Sequence, residues 1–211
     1  MESLKKFEEI CQKDPRQDAF SVLDPRHRGI FRKRTVEDFH QTAESISLHD
    51  GVPEEIRSHF ATARNLIVYS WFYYPFNVAA QLSAYVSVEF ALKHRSGKLG
   101  RKSSFSQLLK NAVKKGWISD KGFSHPKARL ERIRRMNATC PPELRASEPA
   151  LVREYCDALA KSMPFFRNDL AHGSSFLWEA GASQVRACAE LINQLFPHPT
   201  SKPSGRDSAA G

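Results

Sequence analysis

The spacing of apolar residues along the chain is helical almost throughout. Val36, Phe39, Ala43 and Ile46 recur at intervals of three and four, one face of an amphipathic helix over residues 35–44 that Thr35 can cap. A second run follows Pro53, which suits a first helical turn. Glu54 and Glu55 then sit at the positive end of the dipole, and Ile56, Phe60, Ala63 and Ile67 line the inner side. Pro75 ends or kinks this helix, because its ring fixes φ and removes a backbone donor. The next helix, over residues 76–94, carries Val78, Leu82, Tyr85 and Leu92 on one side and Ala79, Val86 and Phe90 on another, so it reads as the most buried.

Beyond it, SGKLGRKS reads as a loop, and Ser104 starts a short helix bearing Leu108, Leu109, Ala112 and Val113 up to Gly116. Residues 126–136 suggest a strongly basic helical turn, and TCPPELRASEPA breaks structure again. A helix over 151–162 has Val152, Tyr155, Leu159 and Ala160 as core candidates, and the last covers 183–195. Neither strand-length alternation nor an internal repeat appears. The expectation is an all-α, up-down helical bundle over residues 51–197. An N-terminal helical extension precedes it over 1–50, and a disordered tail over 198–211 lacks the apolar content to order itself.

Composition adds a partner class. A chain of 211 residues suits one domain, and 32 Lys and Arg against 23 Asp and Glu give a net charge of +9, which favours a polyanion without specifying which. DPRHRGIFRKRT reads as a loop in which Arg26, His27, Arg28, Arg32, Lys33 and Arg34 crowd together, a solvated connector or an RNA-contacting patch. Cys11, Cys140, Cys156 and Cys188 lack C-x-x-C spacing and nearby histidines, so reduced thiols, no metal and no cofactor are expected. The N-terminal MESLKKFEEI places acidic residues where a secretory signal has its apolar stretch, which points to the cytoplasm. Residues 66–88 carry no Asp, Glu, Lys or Arg, yet Pro75, Asn77, Gln81 and several Ser and Tyr interrupt them, and no membrane span is expected.

The sharpest local signal is Pro164-Phe165-Phe166-Arg167-Asn168-Asp169-Leu170-Ala171-His172-Gly173, placed after the helix that ends near Ser162. His172 is a side chain that can take up and release a proton in general acid–base chemistry. Arg167 offers a planar, permanently charged fork to a phosphate oxygen, and Asn168 can orient either one. Glu89, in an otherwise nearly uncharged helix, either pairs with Arg167 or begins the exposed end of its helix.

Arg167, Asn168 and His172 fit R-N-x-x-x-H, and over residues 53–196 the chain resembles the HEPN family of helical proteins. Two long helices, a variable basic insert, the motif and a closing helix follow the family order, and Val88-Glu89-Phe90-Ala91-Leu92 is similar to its second helix. Residues 1–50 fall outside the resemblance. Ser174 stands where toxin members paired with nucleotidyltransferases carry Tyr, which disfavours that subfamily.

The resemblance implies a metal-independent endoribonuclease whose motifs from two protomers meet at a homodimer cleft, acting as a toxin or antiviral defence effector under an antitoxin or other regulatory protein. Lys98, Arg101 and Lys102, with Arg129, Arg132, Arg134 and Arg135, are the expected RNA contacts. Cleavage through the 2′-hydroxyl confines the activity to RNA. The alternative is a non-catalytic module that dimerises and binds RNA or protein, with Arg167, Asn168 and His172 as a structural corner. A DNA-binding helix-turn-helix ranks third, since no short turn joins two suitable helices.

Overall fold

The computed structural model describes residues 4–149, 153–173 and 181–196, with Leu99 and Arg101 by backbone only. Seven α-helices form the described chain: α1 (Val36–Glu44), α2 (Glu54–Tyr69), α3 (Phe76–Ser96), α4 (Phe105–Lys114), α5 (Ser124–Thr139), α6 (Glu154–Ala171) and α7 (Gly181–Leu195). The fold is all-α, and no described helix is long and apolar enough to cross a membrane. The predicted tail, the start of the helix expected at Leu151, and Ser174 lie outside the described residues.

Helix α3 is the centre of the bundle. It packs along α2 and α7 and also meets α4 and α6. Its most buried stripe is not the one that large apolar residues suggested. Ala80, Ala84, Ser87, Val88 and Ala91 are fully buried with Tyr85 and Leu92, whereas Val86 is exposed. Small side chains let neighbouring helices approach, and the large ones come from the partners: Ile56, Phe60 and Ile67 of α2, and Leu191 and Ile192 of α7. Burying each such residue contributes about 1.5–3 kcal/mol, so this seam carries much of the fold.

Start signals in the sequence operate as expected at two helices. Thr35 and Asp38 form a capping box at α1, and Ser104 and Gln107 another at α4. Helix α6 is capped from a distance. Asp120, almost fully buried, accepts the Tyr155 and Cys156 N–H groups at 3.0 and 2.9 Å, which puts a carboxylate at the positive end of the helix that carries the motif.

Four expectations need correction. First, the N-terminal extension is not purely helical. Strands β1 (Ser21–Leu23) and β2 (Phe31–Lys33) pair antiparallel, with Val22 opposite Arg32. Gly29 at φ +86° turns the chain, and Asp24 closes the turn by accepting Arg26 N–H. Three-residue strands are too short for alternation to show. Second, the extension is built into the bundle, because Ala43 and Ile46 share the core of α2 and α3. Third, the basic turn at 126–136 is a full helix, α5, whose one buried residue is Pro126. Fourth, SGKLGRKS winds into a 3₁₀ turn, Gly97–Lys102.

The aromatic connection between α2 and α3 is partly covered by the chain itself. Lys5 Nζ donates to Phe72 O, Asp14 N–H to Trp71 O, and the buried Gln17 amide to Ser70 O. Asp14 also accepts Tyr74 N–H at 2.8 Å and holds Arg16. Tyr74 is buried, and Trp71, Phe72 and Tyr73 are half-buried. An apolar hollow of about 460 Å³ remains between Tyr69, Phe72, Tyr73 and Phe76 on one side and Leu4 and Ile10 on the other.

Candidate active site

The R-N-x-x-x-H run is the last part of α6, not a segment after it. The helix passes through Pro164 and continues to Ala171. A proline inside a helix forfeits one backbone bond and crowds the preceding turn. Tertiary contacts override that local cost. Cys156, Leu159, Ala160 and Met163 form a buried face, Leu170 extends it, and Arg167 on the same side reaches α3.

Arg167 is tied at both ends of its fork. Its Nη2 donates to Glu89 Oε2 at 2.8 Å and its Nη1 to Asn168 Oδ1 at 3.0 Å. Glu89 is therefore a partner of Arg167 and not an exposed helix end: its side chain is only 12% exposed, and its other oxygen takes Lys93 Nζ at 2.7 Å. Lys93 was legible in the sequence, since Glu and Lys four apart on a helix face one another. With one N–H of each terminal nitrogen engaged, the rest of the Arg167 fork has no partner among the described residues and can meet an anion.

His172 ends the helix. Its N–H donates to Asn168 O at 3.0 Å, and Gly173 follows at φ +89°, a left-handed exit that glycine adopts without strain. The imidazole is exposed and makes no side-chain hydrogen bond among the described residues. Asn168 and His172 are four apart and share a helix face, whereas Arg167 and His172, five apart, project about 140° from each other. Asn168 joins them: it receives the guanidinium and stands one turn before the imidazole. The corner thus runs from Lys93 through Glu89, Arg167 and Asn168 to His172.

The expected RNA-contacting residues fall on separate elements. Lys98 and Lys102 are exposed in the 3₁₀ turn after α3, and Arg129 and Arg132 are exposed on α5. Each is without a carboxylate in ion-pair range among the described residues, whereas Arg134 pairs with Glu148 at 2.9 Å. The side chain of Arg101 lies outside what the structure describes. Four of the other histidines have partners of their own. His49 contacts Asn193 O, His59 Ser87 Oγ, His94 Glu55 and His27 Asp24.

The four cysteines are free, with Cys156 and Cys188 buried so that desolvation pushes their thiols well above the ordinary range. Among the described residues no group of three or more His, Cys, Asp or Glu is placed to hold a metal ion. Comparison with protein-family models, curated proteins and solved structures finds no match for the chain.

Proposed function

We propose that the chain is an endoribonuclease of the HEPN type, working on RNA as a homodimer. The observation that carries this reading is the corner itself: a guanidinium fixed by Glu89 and Asn168, next to an exposed imidazole that no side chain among the described residues engages. In one protomer the Arg167 and His172 side chains leave the helix in different directions. A second copy brought against this corner supplies a second imidazole, so that one can take a proton while the other gives one.

The RNA 2′-oxygen attacks the adjacent phosphorus as His172 accepts the hydroxyl proton, and the bond from phosphorus to the 5′-oxygen breaks. The second copy's His172 protonates that leaving oxygen. The products are a 2′,3′-cyclic phosphate and a free 5′-hydroxyl. Arg167 stabilises the charge that grows on the non-bridging oxygens, and Asn168 keeps its fork in plane. The exposed cations Lys98, Lys102, Arg129 and Arg132, without a carboxylate partner among the described residues, support the choice of RNA by drawing in a polyanion. The biological role that fits is a toxin or defence effector restrained by an antitoxin or regulatory protein.

The second reading has its own observation. Arg167 is firmly engaged by Glu89, as in a structural corner, and on that account the protein is a dimerising module that binds RNA or protein without cutting. Purified protein incubated with end-labelled RNA in EDTA separates the two. Cleavage to cyclic-phosphate ends that His172→Ala abolishes supports the nuclease, and binding without cleavage supports the module.

A further inference from the structure

Phe165 and Phe166 precede Arg167 on α6, and they are large apolar side chains on an otherwise polar surface. Phe165 is 66% exposed and Phe166 38% exposed. Their rings meet edge to face, 5.6 Å between centroids and 73° between planes, so Phe166 fixes the orientation of its neighbour. Helical spacing sets what lies beside Phe165. Lys161 is four residues before it, Asn168 three after, Asp169 four after and His172 seven after, all exposed and all on one stripe. Asn168 stands about 4.5 Å along the axis from Phe165, and His172 about 10 Å.

We propose that Phe165 is a stacking platform for a nucleobase of single-stranded RNA, and that it positions the nucleotide next to the phosphate held at Arg167, Asn168 and His172. The inference rests on the nuclease reading and specifies its substrate as unpaired RNA.

Three features favour a base over a protein partner here. An interface core gathers apolar residues together, but the stripe on both sides of Phe165 is charged or hydrogen-bonding. An exposed ring face gives any base a stacking surface, and Lys161, one turn before the ring on the same stripe, suits the backbone that the base brings with it. A base inside a duplex presents no free face, so only an unpaired nucleotide can use the ring.

The test measures binding and cleavage of a short unstructured RNA oligonucleotide by the full chain. Binding is read in the His172→Ala background, where no cleavage intervenes. Phe165→Ala is expected to weaken binding about tenfold and to raise KM by a similar factor, with a much smaller change in kcat. Phe165→Trp keeps the π face and restores binding. Phe165→Leu, apolar but without one, resembles Ala. Replacing the stacked nucleotide by an abasic one makes wild type and Phe165→Ala equal.

Unchanged binding by Phe165→Ala overturns the proposal even if the wild type cleaves. Full rescue by Leu, or loss of dimer mass in light scattering, also overturns it, because the ring is then an apolar packing element. Stacking behaviour in a protein that never cleaves upholds the platform and removes the nuclease. A wild type that does not bind RNA removes both.

Discussion

Three carboxylates held in this fold are put to two different uses, and the contrast separates what builds the molecule from what it presents. Asp14 and Asp120 are nearly fully buried and accept backbone N–H groups, Asp14 from Tyr74 and Arg16, Asp120 from Tyr155 and Cys156. They fasten main chain: one seals the α2–α3 connection, the other caps α6. Glu89 accepts only side chains among the described residues, Lys93 from its own helix and Arg167 from α6. It fastens a cation whose helix continues to an exposed imidazole. Asp14 holds the Arg16 guanidinium as well, but the backbone N–H groups it also accepts tie it to the fold, whereas Glu89 holds only cationic side chains among the described residues.

The comparison predicts a graded set of effects. Asp120→Ala deprives two N–H groups of α6 of their acceptor and is expected to cost about 2–4 kcal/mol in urea unfolding, with Asp120→Asn, which keeps one acceptor oxygen, costing less. A loss under 0.5 kcal/mol, within the range of about ±0.5 for ordinary surface substitutions, contradicts the cap.

Glu89→Gln should divide the other way. Arg167 is 34% exposed, so solvent screens the pair and stability falls by only about 1 kcal/mol. Single-turnover cleavage is expected to fall on the order of tenfold to a hundredfold, because a guanidinium misplaced by an ångström loses its phosphate geometry. Normal cleavage by a stable Glu89→Gln protein means that Glu89 does not position Arg167 for chemistry.

The smallest effect concerns Asp14. Burial raises the proton affinity of its carboxyl most strongly, yet the side-chain bond from Arg16 and the N–H groups of Tyr74 and Arg16 together outweigh it, and the pKa lies below the ordinary 3.8. A depressed folded-state pKa adds stability that is present above the unfolded value and lost as pH falls through the folded one. The Tyr74 amide resonance should therefore titrate with a midpoint below 3.8, and Asp14→Asn should abolish the titration. A midpoint at or above 3.8 contradicts the seal.

The helices were legible where burial is periodic and caps are local. Ile56, Phe60, Ala63 and Ile67 mark α2 without ambiguity, and Ser104 begins α4. The end of α6 was not legible. Pro164 signals a stop by local rules, and what overrides it is contact of Met163, Arg167 and Leu170 with residues distant in sequence. The cap on α6 was hidden for the same reason, since Asp120 precedes its targets by 35 and 36 residues. Of the candidate site, the pairing of Glu89 with Arg167 was open to inference from a lone carboxylate in an apolar helix. The bond from Arg167 to Asn168 required the helix to continue.

Single-turnover cleavage of labelled RNA by Arg167→Ala, Arg167→Lys and His172→Ala, with fold and mass checked beside it, decides whether this corner cuts RNA. Lys93 still pairs with Glu89 when Arg167 is removed, so the alanine variants are expected to stay folded and dimeric. Each should lose at least about a hundredfold in rate, as expected for a positioned acid–base or an anion-stabilising donor, and Arg167→Lys should remain badly impaired because it keeps charge but not the planar fork. Folded alanine variants that cut RNA at the wild-type rate would contradict the account.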